Sequence, residues 1–354
     1  MIQLYKPFMP ELPLINEILQ SGKLTYGKYG KEFESMLAQF LGISNLIVTN
    51  TFSNAIMVAI SCLELKPGSK VIASPMACLA STQPLLALGL QVIWADVDPK
   101  RGTLDPESVR KTIQQNPDIK LIIHNHFCGY PGYINEINQI GKEFGIPVMD
   151  DGIEAFGSEY NGKLLGNVET DITVFSFGAV RIPNTLDGGT IIFKDKTLYE
   201  KSLLVRDSGI DRTIFRDEFG EISNSCNISL IGHAATMQEI NSYIGTQQML
   251  QVPKLISEHR NNAKIWDKEL QLNSDITPIE TPNANPNYWV YGLLAENKKE
   301  TMLKFRNNGY YASSVHINNN IYSVFGNNLD LAGVNEFRNH FLAIPSGWWV
   351  NNIN

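Results

Sequence analysis

The sequence predicts an α/β protein: a three-layer domain on a mostly parallel central sheet, followed by a smaller C-terminal α+β domain. Between Leu46 and Phe193, short β-branched runs alternate with helical patterns, as strand–helix–strand units do. These strands are nearly continuous apolar runs, the pattern of a sheet covered on both faces. Past Gly232 the texture changes to long helices, a Pro-Asn-rich stretch and a shorter mixed pattern.

Taken in order, Leu46-Ile47-Val48-Thr49 reads as a strand and Ser53 to Leu63 as the helix after it. Val71-Ile72-Ala73 is the next strand, followed by a helix from Leu79 to Leu88 and a strand at Val92-Ile93-Trp94. Leu121 to Ile123, Pro147 to Asp150, Thr173 to Phe177 and Thr190 to Phe193 continue the series. His233 to Leu250 and Lys254 to Leu270 read as two long helices separated by a break at Pro253. Residues 277–287 read as a linker or turn region. A strand (Tyr288 to Leu294), a helix (Lys299 to Asn307), a strand (Ala312 to Ile317) and a helix near Asn335 complete the chain. The expected division is residues 1–250 for the large domain and 251–354 for the small one, with residues 1–21 packing against the latter.

Composition excludes several function classes. Across 354 residues, 29 Lys and Arg stand against 36 Asp and Glu, a net charge of -7 with no basic stripe, which argues against nucleic acid as a partner. Cys62, Cys78, Cys128 and Cys226 are scattered, with no CxxC or Cys/His cluster; they suit a reducing cytoplasm better than disulfides or zinc. No basic region leads into an apolar run at the N-terminus, and no segment approaches ~18 uninterrupted apolar residues. A soluble, cytoplasmic protein without membrane insertion and without a metal is expected.

On a sheet of this kind, ligands sit beyond the carboxyl ends of the strands, so the loops there hold the candidates. Asp150-Asp151 end a strand, and each carboxylate could face a ligand or cap a following helix. Ser176 ends another strand and is either a phosphate donor or a turn residue. His124 and His126 flank Asn125 as a metal ligand pair would, but no acidic or Cys partner is spaced to complete such a site, which favours satisfied buried histidines. Phe52-Ser53-Asn54 opens a helix, where free N–H groups attract an anion, although capping by Ser53 accounts for the pattern equally well. Trp348-Trp349 reads as packing, with a stacking surface as the other option.

Several landmarks in order resemble the DegT/DnrJ/EryC1/StrS family of sugar aminotransferases, with fold-type I (aspartate aminotransferase-like) architecture. They are Leu24-Thr25-Tyr26-Gly27, Asp96-Val97-Asp98 with Thr103-Leu104-Asp105-Pro106, His126-Phe127-Cys128-Gly129, Pro147 to Asp151, Ser176-Phe177, Asp187-Gly188-Gly189 and Arg206-Asp207-Ser208-Gly209. The resemblance runs from about Gly22 to Trp349. It implies a homodimer acting on nucleotide-linked sugars, with pyridoxal phosphate (PLP) held as a Schiff base by a lysine.

Measured against that pattern, the lysine position falls on Arg181, five residues after Ser176. An arginine stays protonated and is too poor a nucleophile to replace it. The resemblance places Thr51-Phe52-Ser53 at the phosphate turn, with the Phe52 ring expected to crowd it, and Leu79 where an aromatic would stack on the cofactor. It places Glu154 where a glutamine would meet the ring hydroxyl. Asp151, the pyridinium partner, and Ser176, a phosphate ligand, are retained. Ala234 and Thr236 fall where an Asn and an Arg would reach across a dimer, and His316 falls in a region of sugar contact. The leading expectation is therefore a family fold with no cofactor, in which Arg181, Glu154 and His316 are the candidate catalytic residues. A noncovalent PLP or pyridoxamine phosphate (PMP) enzyme, or a conventional aminotransferase, are the alternatives.

Overall fold

The computed structural model describes residues 1–326 and 329–350. After a short helix α1 (Ile15–Gln20), the chain runs through α2 (Lys28–Leu41), β1 (Leu46–Thr49), α3 (Phe52–Cys62), β2 (Lys70–Ala73), α4 (Leu79–Ala87) and β3 (Gln91–Trp94). It continues through α5 (Pro106–Gln115), β4 (Ile119–Asn125), α6 (Ile134–Phe144) and β5 (Val148–Gly152) to the short pair β6 (Glu159–Tyr160) and β7 (Lys163–Leu164). Then come β8 (Ile172–Ser176), β9 (Gly189–Phe193) and α7 (Lys196–Val205).

Seven of these strands form one sheet in the order β1-β9-β8-β5-β4-β2-β3. The pairs from β3 to β8 are parallel, and β9 alone runs against its neighbours β8 and β1. The mostly parallel sheet is thus as expected. Its strands are buried on both faces because helices cover both, as in β8, where all five residues are buried. Local chemistry fixes the helices. In α2, Phe33, Leu37 and Leu41 recur every fourth residue and are fully buried, while Gly42 at φ 70° ends the helix. Asp105 caps α5, accepting from the Glu107 and Ser108 amides, with Pro106 at the first helical position.

The C-terminal part holds α8 (Glu239–Met249), α9 (Val252–Leu270), β10 (Ile276–Pro278), β11 (Ala284–Asn285), β12 (Tyr291–Ala295), α10 (Lys298–Asn307), α11 (Ala332–His340) and β13 (Phe341–Ile344). An antiparallel sheet β10-β12-β13 packs with Ala263 and Trp266 of α9 and Phe305 of α10. Several details differ from expectation. The helix expected from His233 starts at Glu239. Pro253 lies at the start of α9, where its missing N–H costs nothing. Ala312 to Ile317 is not a strand and contributes one bridge, Ser313 to Ala343, because Val315 adopts φ 59° and breaks extension. The 277–287 stretch contains β11, paired with β6. The N-terminal segment touches both parts: Ile2 bridges Tyr310, and the Phe8 carbonyl accepts from the side chains of Asn184 and Gln248. The expected end of the small domain at 354 lies outside the described residues. No helix among the described residues is long and apolar enough to cross a membrane.

Candidate active site

The carboxyl ends of β1, β2, β4, β5 and β8 and the amino end of β9 share one edge of the sheet. Thr51 follows β1, Leu79 follows β2, Asp151 and Glu154 lie at and after β5, and Ser176 and Arg181 at and after β8. Loops from the C-terminal part bring His316 and Trp289 to the same edge.

Glu154 is the hub. It is 4% exposed, and both carboxylate oxygens are engaged. Oε1 lies 2.9 Å from His316 Nε2 and 3.4 Å from Arg181 Nη2, and Oε2 accepts from the Cys128 amide at 2.8 Å. Burial alone would raise its pKa, but His316 and Arg181 outweigh that and hold it below the usual glutamate range. Two left-handed residues shape the hub: Cys128 at φ 54°, whose amide points at Glu154, and Val315 at φ 59°, which precedes His316. Positive φ is uncommon for any residue but glycine and is a strained outlier for a β-branched one. At the position where the resemblance expects a glutamine, two basic side chains and an amide thus meet the Glu154 carboxylate.

The register of β4 and β5 separates the two aspartates. His124 pairs with Asp150 and Asn125 with Asp151, and alternate residues point to opposite faces. Asp150 therefore joins His124 and His126, whose nitrogens approach its Oδ1 at 3.3 and 3.4 Å. These three side chains bring potential ligand atoms within 4.8 Å of one another, so the histidines do have an acidic partner, supplied by the adjacent strand. The Gly132 amide donates to His126 Nδ1 at 3.1 Å. That leaves the proton on Nε2, so this nitrogen has no lone pair to offer a metal. Burial opposes charge on Asp150, but the two histidines hold its pKa well below the usual range.

Asp151 lies on the other face. It caps no helix, because a turn follows β5; its Oδ1 accepts from the Ile153 amide at 3.2 Å. Burial pushes its pKa up to about 6 against the lowering effect of Ser81 and the Ile153 amide. It is thus a carboxylate suited to a cationic partner.

At the start of α3 the cap is Thr51, whose hydroxyl accepts from the Asn54 amide at 3.0 Å; Ser53 lies inside the helix. Phe52 does not crowd this turn. It is 4% exposed and packs in the core with Ala55, Ile56 and Ile191, because the side chain of the first helical residue is directed into the sheet. Ser176 accepts from the Gly178 amide at 3.2 Å. Leu79, the first residue of α4, is exposed, leaving an apolar surface beside the cleft. Trp348 and Trp349 pack on the N-terminal segment, Trp348 edge-on to Phe8 and Trp349 donating to the Gln3 carbonyl. Lys194 follows the far end of β9, where it pairs with Glu169.

The structure adds Trp289, Tyr5 and Cys78, which no motif announced, and gives Cys128 a place that its motif did not specify. Trp289 lies under Arg181, with the guanidinium carbon 4.4 Å from the ring centroid, and Tyr5 stacks on Trp289 at 4.5 Å. Cys78 and Cys128 lie within the electrostatic reach of Glu154 and Arg181, and burial raises both thiol pKa values. Only long-range packing brings these together, and spacing in the sequence gives no sign of it.

Comparison with known proteins bears on this arrangement. The model of the DegT/DnrJ/EryC1/StrS aminotransferase family matches residues 10–332. A UDP-4-amino-4,6-dideoxy-N-acetyl-beta-L-altrosamine transaminase of Helicobacter pylori is 28% identical over 265 residues, covering 74% of this chain and 68% of that protein. The sugar aminotransferase CalS13 from Micromonospora echinospora superposes with a TM-score of 0.92 at 27% identity, covering 99% of this chain and 96% of that one. At 20% identity and a TM-score of 0.85, GDP-4-keto-6-deoxymannose-3-dehydratase shares the fold over 97% of this chain and 95% of its own, and was captured with a PLP-glutamate geminal diamine. These findings overturn the expectation of no cofactor. The physical grounds for it also weaken, since Phe52 turns into the core and Glu154 is compensated.

Proposed function

This chain belongs to the DegT/DnrJ/EryC1/StrS aminotransferase family, and from that premise we propose that it is a noncovalent PLP- or PMP-dependent enzyme modifying a nucleotide-linked sugar. The observation that supports this reading is the buried Asp151 on the same edge of the sheet as Arg181, which falls where the resemblance places the Schiff-base lysine. The residues present fit the cofactor. Asp151, whose pKa burial raises to about 6, suits a protonated pyridine nitrogen. The amino end of α3 with Thr51 and Ser53, together with Ser176, suits the phosphate. Leu79 offers an apolar face to the ring, a weaker support than an aromatic.

When bound, PMP supplies an amino group and an electron sink. The chain supplies binding and proton handling. Arg181 forms no covalent bond to the cofactor, since its guanidinium stays protonated. Proton transfer falls to His316: with Nε2–H directed at Glu154 Oε1, its Nδ1 carries the lone pair, and Glu154 stabilises the imidazolium formed when that nitrogen accepts a proton. The strained backbone at Val315 and Cys128 fixes this pair in place. The substrate class follows the Helicobacter pylori relative, whose substrate is a UDP-linked amino sugar. A cytoplasmic homodimer completes the reading, supported by the exposed apolar side chains of Ile214, Phe219, Ile222, Ile228 and Ile231 in one stretch.

Titration calorimetry with PMP checks this. Saturable binding is expected, weakened at least ~10-fold in Asp151→Asn, because a lost charge-assisted hydrogen bond is worth about 1.5–3 kcal/mol. Absence of saturable binding by the wild-type protein would contradict the reading.

A further inference from the structure

Arg181 is held in an unusual way. Its side chain is nine-tenths buried, yet among the described residues it has no hydrogen-bond acceptor for Nη1, which is sealed from solvent. Its ionic contact with Glu154 is at 3.4 Å, through Nη2. A guanidinium carries five N–H donors, and a buried donor left unmet is costly. Glu154 does not answer that demand, since it is shared with His316 and the Cys128 amide.

What secures Arg181 is its flat face. The guanidinium lies over Trp289, a cation–π contact that leaves the in-plane N–H edge unused. Trp289 is itself fixed on three sides. Its indole N–H donates to the Val180 carbonyl at 2.7 Å, one residue before Arg181. Its amide donates to Asn287 Oδ1 at 2.9 Å, and Tyr5 stacks on its ring with planes 18° apart. The N-terminal segment thus braces the loop after β8, on the edge of the large sheet that holds the site.

We propose that Arg181 is an oxyanion anchor: pinned on Trp289 and steered by Glu154, it turns the unmet edge of its guanidinium to an anionic oxygen of the bound ligand. The residue that removes the covalent attachment thereby supplies a charged, directional contact in its place. The ligand identity rests on the function proposed above. The oxygen can come from the cofactor, as phosphate or ring hydroxyl, or from the diphosphate of a nucleotide-linked sugar. Trp289 and Tyr5 are positioning residues that act through Arg181.

The test is calorimetry and tryptophan fluorescence on the full-length protein, with PMP and UDP-N-acetylglucosamine titrated separately into wild type, Arg181→Gln, Arg181→Lys and Trp289→Leu. Thermal unfolding confirms that each variant is folded. The anchor predicts that Arg181→Gln weakens the probe supplying the oxyanion by roughly 10- to 100-fold. Arg181→Lys, which keeps the charge but not the fork, should show a smaller loss, and Trp289→Leu should weaken the same probe. If PMP affinity is the one affected, the oxygen is the cofactor's; if UDP-N-acetylglucosamine affinity is, it is the sugar nucleotide's. Should PMP fail to bind while UDP-N-acetylglucosamine binds in an Arg181-dependent way, the cofactor reading falls and the anchor stands. Equal affinities for both probes in wild type and a folded Arg181→Gln would overturn the anchor and leave the cofactor reading intact. Binding of neither probe to the wild type overturns both. If Arg181→Gln does not fold, Arg181→Lys decides: unchanged affinities for both probes overturn the anchor.

Discussion

Asp151 and Glu154 make opposite contributions to stability as pH changes. The folded pKa of Asp151 is raised by burial from 3.8 to about 6, so the folded state holds its proton more tightly than the unfolded chain does. Its contribution is lost as pH rises from about 4 to about 6, leaving a cost on the order of 3 kcal/mol at neutral pH. Asp151→Asn should flatten that decline in a pH series of thermal unfolding, while losing cofactor affinity; an unchanged decline would remove Asp151 as its source. Glu154 is held below its ordinary value of 4.5, so its contribution is present above that value and lost as pH falls through the folded pKa. Glu154→Gln leaves Arg181 buried without its ionic partner, and a loss of about 3–5 kcal/mol in denaturant unfolding is expected. A loss under ~1 kcal/mol would mean that Trp289 alone supports Arg181. At this scale the sequence was informative about identity and silent about direction. That Asp151, Ser176 and Arg181 lie at or just after strand ends on one edge of the sheet was legible from motif order. That Phe52 turns into the core, or that Glu154 meets two bases, depends on contacts between residues far apart in the chain.

At the scale of elements, the loops after β4 and β5 are where the site is built. Gly129 has φ 89°, and a Cβ there would lie 2.3 Å from Asn287 Oδ1 and 2.9 Å from the Glu154 carbonyl. Gly129→Ala should therefore destabilise the protein by about 2 kcal/mol or more, measured as a lower unfolding midpoint; an unchanged midpoint would show that this loop yields freely. The buried parallel strands were easy to read because both faces are apolar. Ala312 to Ile317 was misread because its β-branched residues suggest extension, whereas tertiary contacts hold Val315 in a left-handed conformation. The Asp150 partner of the two histidines was missed for a related reason, since pairing of β4 with β5 is invisible in linear spacing.

For the whole molecule, the stretch from Ile214 to Ile231 exposes several large apolar side chains, with Phe219 at 81% and Ile231 at 89%. Sedimentation equilibrium should give twice the 39.6 kDa chain mass, and Phe219→Asp with Ile231→Asp should shift it toward the monomer; a monomeric wild type would contradict the homodimer. The central claim is that the cofactor is held without a covalent bond. Its most direct test is the intact mass of the protein after incubation with PLP and reduction with borohydride. The expected result is the unmodified mass for wild type, alongside saturable PMP binding. A stoichiometric pyridoxyl adduct mapped to one wild-type lysine would contradict the claim.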